Sequence, residues 1–101
     1  MTDSPNVLSG GIPAALFPLG DLVVTQGARD EISEIETRIA LDRHARGDWG
    51  LLDDEDRASN ARALQEGSRL VSRHQSRDGT TFYVITEHDR SATTVLLPKE
   101  Y

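Results

Sequence analysis

The pattern of hydrophobic and polar positions changes at Ser68. Beyond that residue the segments "RLVSRHQS", "TTFYVITEHD" and "ATTVLLP" alternate with a period of two, and the turn sequences "RDG" and "RS" separate them. This pattern predicts three consecutive antiparallel strands. Nearer the other end, "LFPLGDLVVTQG" predicts a short strand centred on residues 22–24. Pro18 and Gly20 indicate that this strand lies at a sheet edge.

Capping residues delimit helical segments between the strands. Ser33 and Glu36 have the spacing of a capping box. A helix that starts there is expected to run to about Arg46 and to end at Gly47. Thr25 can cap an additional first turn.

A second helix is predicted to begin at its cap, Asp53, and to stop at Gly67. Apolar positions predict which sides of the two helices face the sheet. In the first helix these are a stripe of Ile35 and Ile39, with Asp42 or Arg43, and a second contact set of Leu41, His44 and Ala45; in the second helix they are Ala58, Ala61 and Leu64, with Ala63 beside it.

The sequence therefore predicts an α+β fold with the order β-α-α-β-β-β. A three-stranded antiparallel meander, plus the short N-terminal edge strand, packs on a helical hairpin. Residues 1–13 are rich in Ser, Gly and Pro, which predicts a flexible tail. Residues 14–101 are expected to form a single domain.

The turn lengths fix the predicted register of the meander. A three-residue loop at residues 77–79, with Gly79 left-handed, and a two-residue turn at residues 90–91 give these opposite pairs: His74–Phe82, Ser72–Val84 and Leu70–Thr86 in the first hairpin, Thr86–Val95 and Val84–Leu97 in the second. The face against which the helices are expected to pack then collects Leu70, Phe82, Val84, Val95 and Leu97.

The opposite face of the meander is also partly apolar. Its centre is Val71, Tyr83, Ile85 and Leu96, and its rim is Arg69, Arg73, Gln75, Glu87 and Thr94. An apolar and tyrosine centre inside a charged rim is typical of a contact surface, which predicts a protein partner or a homodimer there. The alternatives are that the N-terminal segment covers this face or that these are ordinary scattered surface residues.

Composition and charge narrow the class of protein. The chain of 101 residues has no cysteine, which excludes disulfides, thiolate zinc sites and cysteine nucleophiles. Neither a signal peptide nor a membrane span is visible, so we expect a cytoplasmic protein. The net charge is −6, and residues 21–66 hold twelve acidic and six basic side chains. This charge disfavours direct nucleic-acid binding and suits a basic protein partner.

Candidate residues for catalysis or metal binding are few. His44 and Asp48 lie four positions apart, the spacing of a histidine with an orienting carboxylate or of half a metal site. Gly47, however, interrupts the helix between them. His74 and His88 complete no ligand motif. We therefore expect no metal and no cofactor, and a small hydrolase-like or nuclease-like enzyme that uses His44 and Asp48 is the alternative function.

Three further features have structural explanations. The acidic run at residues 53–56 suits helix capping and the partial positive charge at a helix N-terminus. Asp89 is expected to accept backbone N–H bonds in an Asx-type turn and to pair with Arg90; a functional role for residues 87–90 is the alternative. Trp49, between two glycines, is expected to plug the end of the core at the joint between the helices, with an exposed partner anchor as the alternative.

The run "LDRHARGDWGLLDDEDRASNARALQEGSRLVSRH" and the following "DGTTFYVITEHDRSATTVLLPKEY" resemble small plasmid-related proteins of bacterial mobile elements. The likeness covers about residues 16–101. Its most specific positions are His44, Gly47–Gly50, Asp56, Asn60, Leu64, Ile85–Glu87, Asp89–Ser91, Thr93–Thr94 and Leu96–Pro98. The charged segment "RDEISEIETR" departs from a more apolar, alanine-rich segment in that group, which makes the length of the first helix variable. The resemblance implies a setting on mobile DNA, plasmid or phage, and no particular activity.

These observations predict a small non-enzymatic protein that acts by occupying a surface of another protein. The resemblance favours a host defence complex, a CRISPR effector or a restriction enzyme, as that partner. Carboxylates would then imitate phosphates in front of a basic groove. The candidate acidic face comprises Glu31, Glu34, Glu36, Asp53, Asp54, Glu55 and Asp56. A further alternative is a nucleic-acid-binding accessory protein that uses the sheet face through Arg69, Arg73, Arg77 and Arg90.

Overall fold

The computed structural model describes residues 15–101, so the predicted tail and residue 14 lie outside the described residues. The strands are β1 (Asp21–Val24), β2 (Leu70–Gln75), β3 (Thr81–Thr86) and β4 (Ala92–Leu96), and the helices are α1 (Gln26–Glu31), α2 (Glu34–Ala45) and α3 (Asp54–Glu66). A 3-10 turn, Pro98–Glu100, follows β4. The α+β class and the predicted order are confirmed, with α1 as an additional short helix.

The four strands form one sheet in the order β1-β4-β3-β2. The antiparallel meander β2-β3-β4 and the edge position of β1 are both confirmed. β1 runs parallel to β4, so the sheet is mixed rather than purely antiparallel. The long stretch of chain between β1 and β4, which contains all three helices, makes this parallel return possible.

The predicted helix boundaries are confirmed by their capping hydrogen bonds. Backbone N–H groups donate to three cap side chains: Ala28 to Thr25 Oγ1 at 3.2 Å, Glu36 to Ser33 Oγ at 3.1 Å, and Asp56 to Asp53 Oδ1 at 2.9 Å. Gly47 and Gly67, with φ of +83° and +76°, follow α2 and end α3. Glu36 also accepts a hydrogen bond from the backbone N–H of Arg77 at 2.6 Å, which ties the start of α2 to the β2–β3 hairpin.

The predicted helix faces are partly wrong. In α2 the set around Leu41, His44 and Ala45 does face the sheet, but Ile35 and Ile39 are 71% and 53% exposed on the far side of the helix. In α3 the buried residues are Asn60 and Ala63; Leu64 is half-buried, and Ala58 and Ala61 are exposed. Hydrophobic periodicity misplaced both faces because it does not register polar side chains that are buried with hydrogen-bond partners.

The register of the first hairpin is confirmed, with His74 opposite Phe82 and Gly79 at φ +93°. The predicted register of the second hairpin is wrong by two residues. Thr86 pairs with Thr93 rather than Val95, and Val84 pairs with Val95 rather than Leu97. The connection has four residues, His88–Ser91, because Arg90 takes a left-handed conformation with φ +61°. A shift by two keeps each residue on its predicted face.

The segment after Gly47 covers the outer edge of β2. Arg73 donates its backbone N–H to the Trp49 carbonyl at 3.2 Å, and its carbonyl accepts from Leu51 N–H at 2.7 Å. The Asn60 amide bonds both backbone groups of Val71, at 2.6 and 3.2 Å. A side chain on Gly50 would meet the Arg73 carbonyl at 2.0 Å, so this approach requires glycine. The edge is thereby closed to further strand pairing.

Candidate functional site

Five polar side chains form a continuous buried network on the helix-facing side of the sheet. His44, from α2, bonds Ser72 Oγ through Nδ1 at 2.7 Å and Thr86 Oγ1 through Nε2 at 2.9 Å. Ser72 Oγ also lies 2.9 Å from His74 Nε2. Thr86 Oγ1 lies 2.7 Å from Thr93 Oγ1, which donates to the Leu19 carbonyl at 2.7 Å. We call this set, His44, Ser72, His74, Thr86 and Thr93, the histidine network.

The last bond of the histidine network fixes the direction of half of the others. A hydroxyl has one proton to donate, and that of Thr93 goes to Leu19. Thr86 must therefore donate to Thr93, and His44 Nε2 must donate to Thr86. With its one proton on Nε2, a neutral His44 presents Nδ1 as an acceptor.

The same reasoning orders the other half. Ser72 must donate to His44 Nδ1, so its oxygen accepts from His74 Nε2. Both histidines are then Nε2–H tautomers, and every bond runs in one direction from His74 to the Leu19 carbonyl. His74 Nδ1 is left as an acceptor, and it is buried without a hydrogen-bond partner among the described residues.

Burial keeps both imidazoles neutral. Burial, together with the positive charges of a protonated His74 and of Arg90, lowers the pKa of His44 to about 3. Burial likewise lowers the pKa of His74 to about 4, with Arg43 acting in the same direction. Ser72, the residue between the two rings, has no exposed surface. The network therefore resembles the hydrogen-bonded part of a hydrolytic site but is closed to a substrate.

Trp49 plugs the end of this network, as predicted. It is buried, and its ring and that of Phe17 each lie 5.4 Å from the His44 ring in edge-on contact. Arg90 covers the Phe17 ring at 5.7 Å and donates to the carbonyls of Ser68 and Ala63. The exposed-anchor alternative for Trp49 is therefore not supported by its position.

The predicted pairing of His44 with Asp48 does not form. The Asp48 carboxylate bonds the Arg43 guanidinium at 2.7 and 3.1 Å, and this interaction lowers the pKa of Asp48. His44 instead spends both ring nitrogens on Ser72 and Thr86. The alternative enzyme built on His44 and Asp48 thus has its two groups in separate interactions.

The turn at residues 87–91 is structural in its visible contacts. Asp89 accepts from the backbone N–H of Ser91 at 3.0 Å, which confirms the Asx-type turn. The predicted pairing of Asp89 with Arg90 is wrong, because the Arg90 guanidinium points inward to main-chain carbonyls, including that of Glu87 at 3.1 Å. His88 is exposed in the turn.

The residues of the predicted sheet-face contact differ widely in exposure. Ile85 and Leu96 are buried, and Val71 and Tyr83 are half-buried, with the Tyr101 ring 5.5 Å from that of Tyr83. Of the predicted rim, Arg69 lies 3.8 Å from Glu87, and Arg73 donates to the Leu51 carbonyl. The apolar centre that motivated the contact prediction is thus largely inaccessible.

The predicted acidic face is divided into two groups. Glu34 and Glu36 lie in the first turn of α2, and Asp54–Asp56 lie in the first turn of α3. Trp49, between the helices, contacts His44 near the end of α2, so the two groups lie near opposite ends of that helix. Its twelve residues span about 18 Å at 1.5 Å per residue. The predicted acidic face is therefore two groups rather than one continuous patch.

Sequence reasoning assigned no buried hydrogen-bonding role to Ser72, His74, Thr86, Thr93 or Asn60, although the resemblance included Asn60, Thr86 and Thr93 among its most specific positions. A signal was present: the correct first-hairpin register places Ser72, His74 and Thr86 on the same side as Leu70 and Phe82. Polar residues on a helix-covered face must find partners, so their presence there indicates a buried hydrogen-bonded cluster.

Within residues 15–101, no group of three or more His, Asp or Glu side chains is arranged to hold a metal ion. Over the same residues, no helix has both the length and the apolar character needed to cross a bilayer. Comparison of the chain with protein-family models, with curated proteins and with solved structures gives no match.

Proposed function

We propose that the protein is a small cytoplasmic binding module that occupies a basic surface of another protein. The resemblance to plasmid-related proteins favours a host defence complex, of the CRISPR or restriction type, as the partner class. The observation that carries the proposal is an exposed group of carboxylates, Asp53–Asp56, which we call the α3 acidic cluster.

The α3 acidic cluster is not neutralised by its surroundings. Its four side chains are exposed, and none of them forms an ion pair within the part of the chain that the structure describes. The neighbouring cation, Arg57, turns away to the carbonyls of Leu52 and Gly50. Negative charge at this position is favoured by the N-terminus of α3, so the cluster can be presented to a partner without destabilising the fold.

The acidic residues at the start of α2 are more engaged. Glu31 lies 3.9 Å from Lys99, and Glu34 lies 3.9 Å from Arg38. Glu36 is held by the Arg77 backbone N–H. The proposal therefore narrows the predicted acidic face to the α3 acidic cluster.

A binding role also suits the way the reactive side chains are used. His44 and Ser72 are sealed in the histidine network, and Asp48 is paired with Arg43. Among the described residues, exposed charged side chains are available for recognition. The potential acid, base and nucleophile groups named above are instead engaged in hydrogen bonds or an ion pair within the protein.

The test compares two variants that remove the same charge. Asp54→Asn/Glu55→Gln/Asp56→Asn neutralises the α3 acidic cluster while retaining the helix cap Asp53. Asp30→Asn/Glu31→Gln/Glu34→Gln neutralises three exposed carboxylates at the other end of α2. Each variant and the wild type are immobilised and exposed to a bacterial host lysate, and retained proteins are quantified after confirming equal thermal stability.

We expect the wild type and the α2-end variant to retain similar amounts of the same partner. The amount retained by the cluster variant should be at least about tenfold lower, as for removal of a dominant contact group. Double-stranded DNA should compete with the captured protein, because the carboxylates stand in for phosphates. Equal retention by the three proteins would reject the α3 acidic cluster as the contact.

A further inference from the structure

The two edges of the sheet are treated differently. Along β2, the main-chain groups of Val71 and Arg73 are bonded by Asn60 and by the Trp49–Leu51 segment. At the two ends of β1, Asp21 donates its N–H to the Ser91 carbonyl just before β4, and Thr25 donates to the Val95 carbonyl in β4, at 3.0 Å each. In a parallel ladder alternate residues bond to the same neighbour. The main-chain groups of Leu22 and Val24 therefore point outward, and no described residue bonds them.

The β1 edge is also apolar and lies beside a groove. Leu22 is 56% exposed and Val23 is 44% exposed. The groove has a volume of about 400 Å³ and is lined by Val24, Arg29, Ile32, Glu34 and Thr37. An exposed apolar edge strand can pair with a strand of another chain, and native proteins usually prevent such pairing with charged residues or proline at the edge.

We propose that a second copy of this chain pairs with β1 through an antiparallel two-fold contact, extending the sheet across both molecules. Residues with outward main-chain groups must face one another in such a contact. Leu22 of each copy then lies opposite Val24 of the other, and Val23 lies on the two-fold axis. This register forms four main-chain hydrogen bonds, two at each Leu22–Val24 pair.

The side chains fit this register. Opposite residues in an antiparallel pair project to the same face. Val24 lines the groove, so Leu22 of the second copy projects into the groove beside it. Val23 projects to the other face, where it meets its symmetry mate. The exposed apolar side chains of β1 are thus buried by a self-complementary contact, as a two-fold interface requires.

Charge and size favour a second copy as the occupant and set the strength of the contact. The groove is lined by one cation and one anion, Arg29 and Glu34, so it presents no net charge to a second copy. Contacts between two copies through their acidic groups would instead bring like charges together, because the chain has a net charge of −6. A four-residue strand and one groove make a small interface, so the dimer should be weak and concentration-dependent. This contact is separate from the α3 acidic cluster and does not rest on it.

The chain has no cysteine, so single cysteines report the register directly. Cα atoms of a non-hydrogen-bonded antiparallel pair lie about 4.5 Å apart, within the range that a disulfide bridges. Val23→Cys should form a disulfide-linked dimer under mild oxidation. Ile39→Cys, at a comparably exposed position on α2, is the matched control. Equal cross-linking of the two variants contradicts the proposal.

Sedimentation of the wild type and of two lysine variants measures the association itself. Leu22→Lys should raise the dimer dissociation constant at least about tenfold, because a charged edge residue blocks pairing. Ile39→Lys, of similar exposure, should change it by less than about twofold. A wild type that stays monomeric at high micromolar concentration overturns the proposal. A dimer that Leu22→Lys leaves intact also overturns it and indicates another face, such as that of Tyr83.

Discussion

Two regions of the helix-facing side of the sheet solve the problem of burial differently. An apolar cluster packs β3 and β4 against α1 and α2 and consists of Ala28, Ile32, Ala40, Phe82, Val84, Val95 and Leu97. Beside it, the histidine network lies at the end of α2, from which His44 enters it. Apolar contacts tolerate small changes of orientation, whereas each hydrogen bond of the histidine network has a fixed donor and a fixed acceptor.

The difference between the regions indicates which one supplies stability and which one selects the correct register of the strands. The apolar cluster gains stability from removing surface from water, largely independently of pH. The histidine network contributes little net stability per hydrogen bond, but leaving any of its groups unpartnered is expensive. It therefore penalises an incorrect register of β2, β3 or β4 against α2 more strongly than an apolar core does.

Acid should separate the two regions most strongly. In the unfolded chain a histidine titrates with a pKa near 6.5, whereas in the folded protein the pKa is about 3 for His44 and about 4 for His74. The unfolded state therefore binds more protons below pH 6.5, and the free energy of unfolding falls as pH decreases from there toward about 4. The expected slope is about 1.4 kcal/mol per pH unit for each histidine. Urea unfolding across this pH range measures it.

Two histidine variants provide the controls for the acid prediction. His74→Gln, which retains a donor for Ser72, should halve the slope, and His88→Gln, in the exposed turn, should leave it unchanged. Nitrogen chemical shifts at neutral pH should identify both buried rings as Nε2–H tautomers. A slope in His74→Gln equal to that of the wild type would show that other groups govern the acid sensitivity.

The centre of the histidine network gives the next largest effect. Ser72→Ala removes the hydroxyl between the rings, so His44 Nδ1 and His74 Nε2 both lose their partner. At about 1–3 kcal/mol for each of the two buried groups left unsatisfied, the free energy of unfolding should fall by roughly 2–6 kcal/mol. Ser59→Ala, at an exposed position of α3, should change it by less than about 0.5 kcal/mol. Equal losses in chemical denaturation would argue against the network.

The first hairpin was predictable because its signals are local. Residues 77–79 form a short loop that ends in a glycine, and Gly79 takes the left-handed conformation that such a loop requires. The second hairpin was not, because the left-handed residue is Arg90, whose side chain is held by the carbonyls of Ser68 and Ala63. Those contacts come from α3 and the segment that follows it, and no pattern near residue 90 reveals them.

The candidate site was less predictable than the fold for a related reason. Spacing along the chain joined His44 to Asp48, whereas the structure joins His44 to Ser72 and Thr86, which are 28 and 42 positions away. Periodicity also assigned Ile39 to the core. Both errors arise because sequence spacing describes neighbours along one element, while polar burial depends on partners supplied by other elements.

The smallest predicted loss of stability concerns Thr93, at the end of the histidine network. Thr93→Val keeps the shape of the side chain but removes the donor to the Leu19 carbonyl and the acceptor for Thr86. We expect the free energy of unfolding to fall by about 1–3 kcal/mol, less than for Ser72→Ala, because Leu19 is only half-buried and water can replace the donor that its carbonyl loses. The control is Thr94→Val, which makes the same chemical change one residue later, on the other face of β4. It should lower the free energy of unfolding by less than about 0.5 kcal/mol. The two variants share strand, residue type and volume change, so the difference between their denaturation midpoints measures the two buried hydrogen bonds of Thr93. Indistinguishable midpoints would mean that the one-way order of protons does not extend to Leu19.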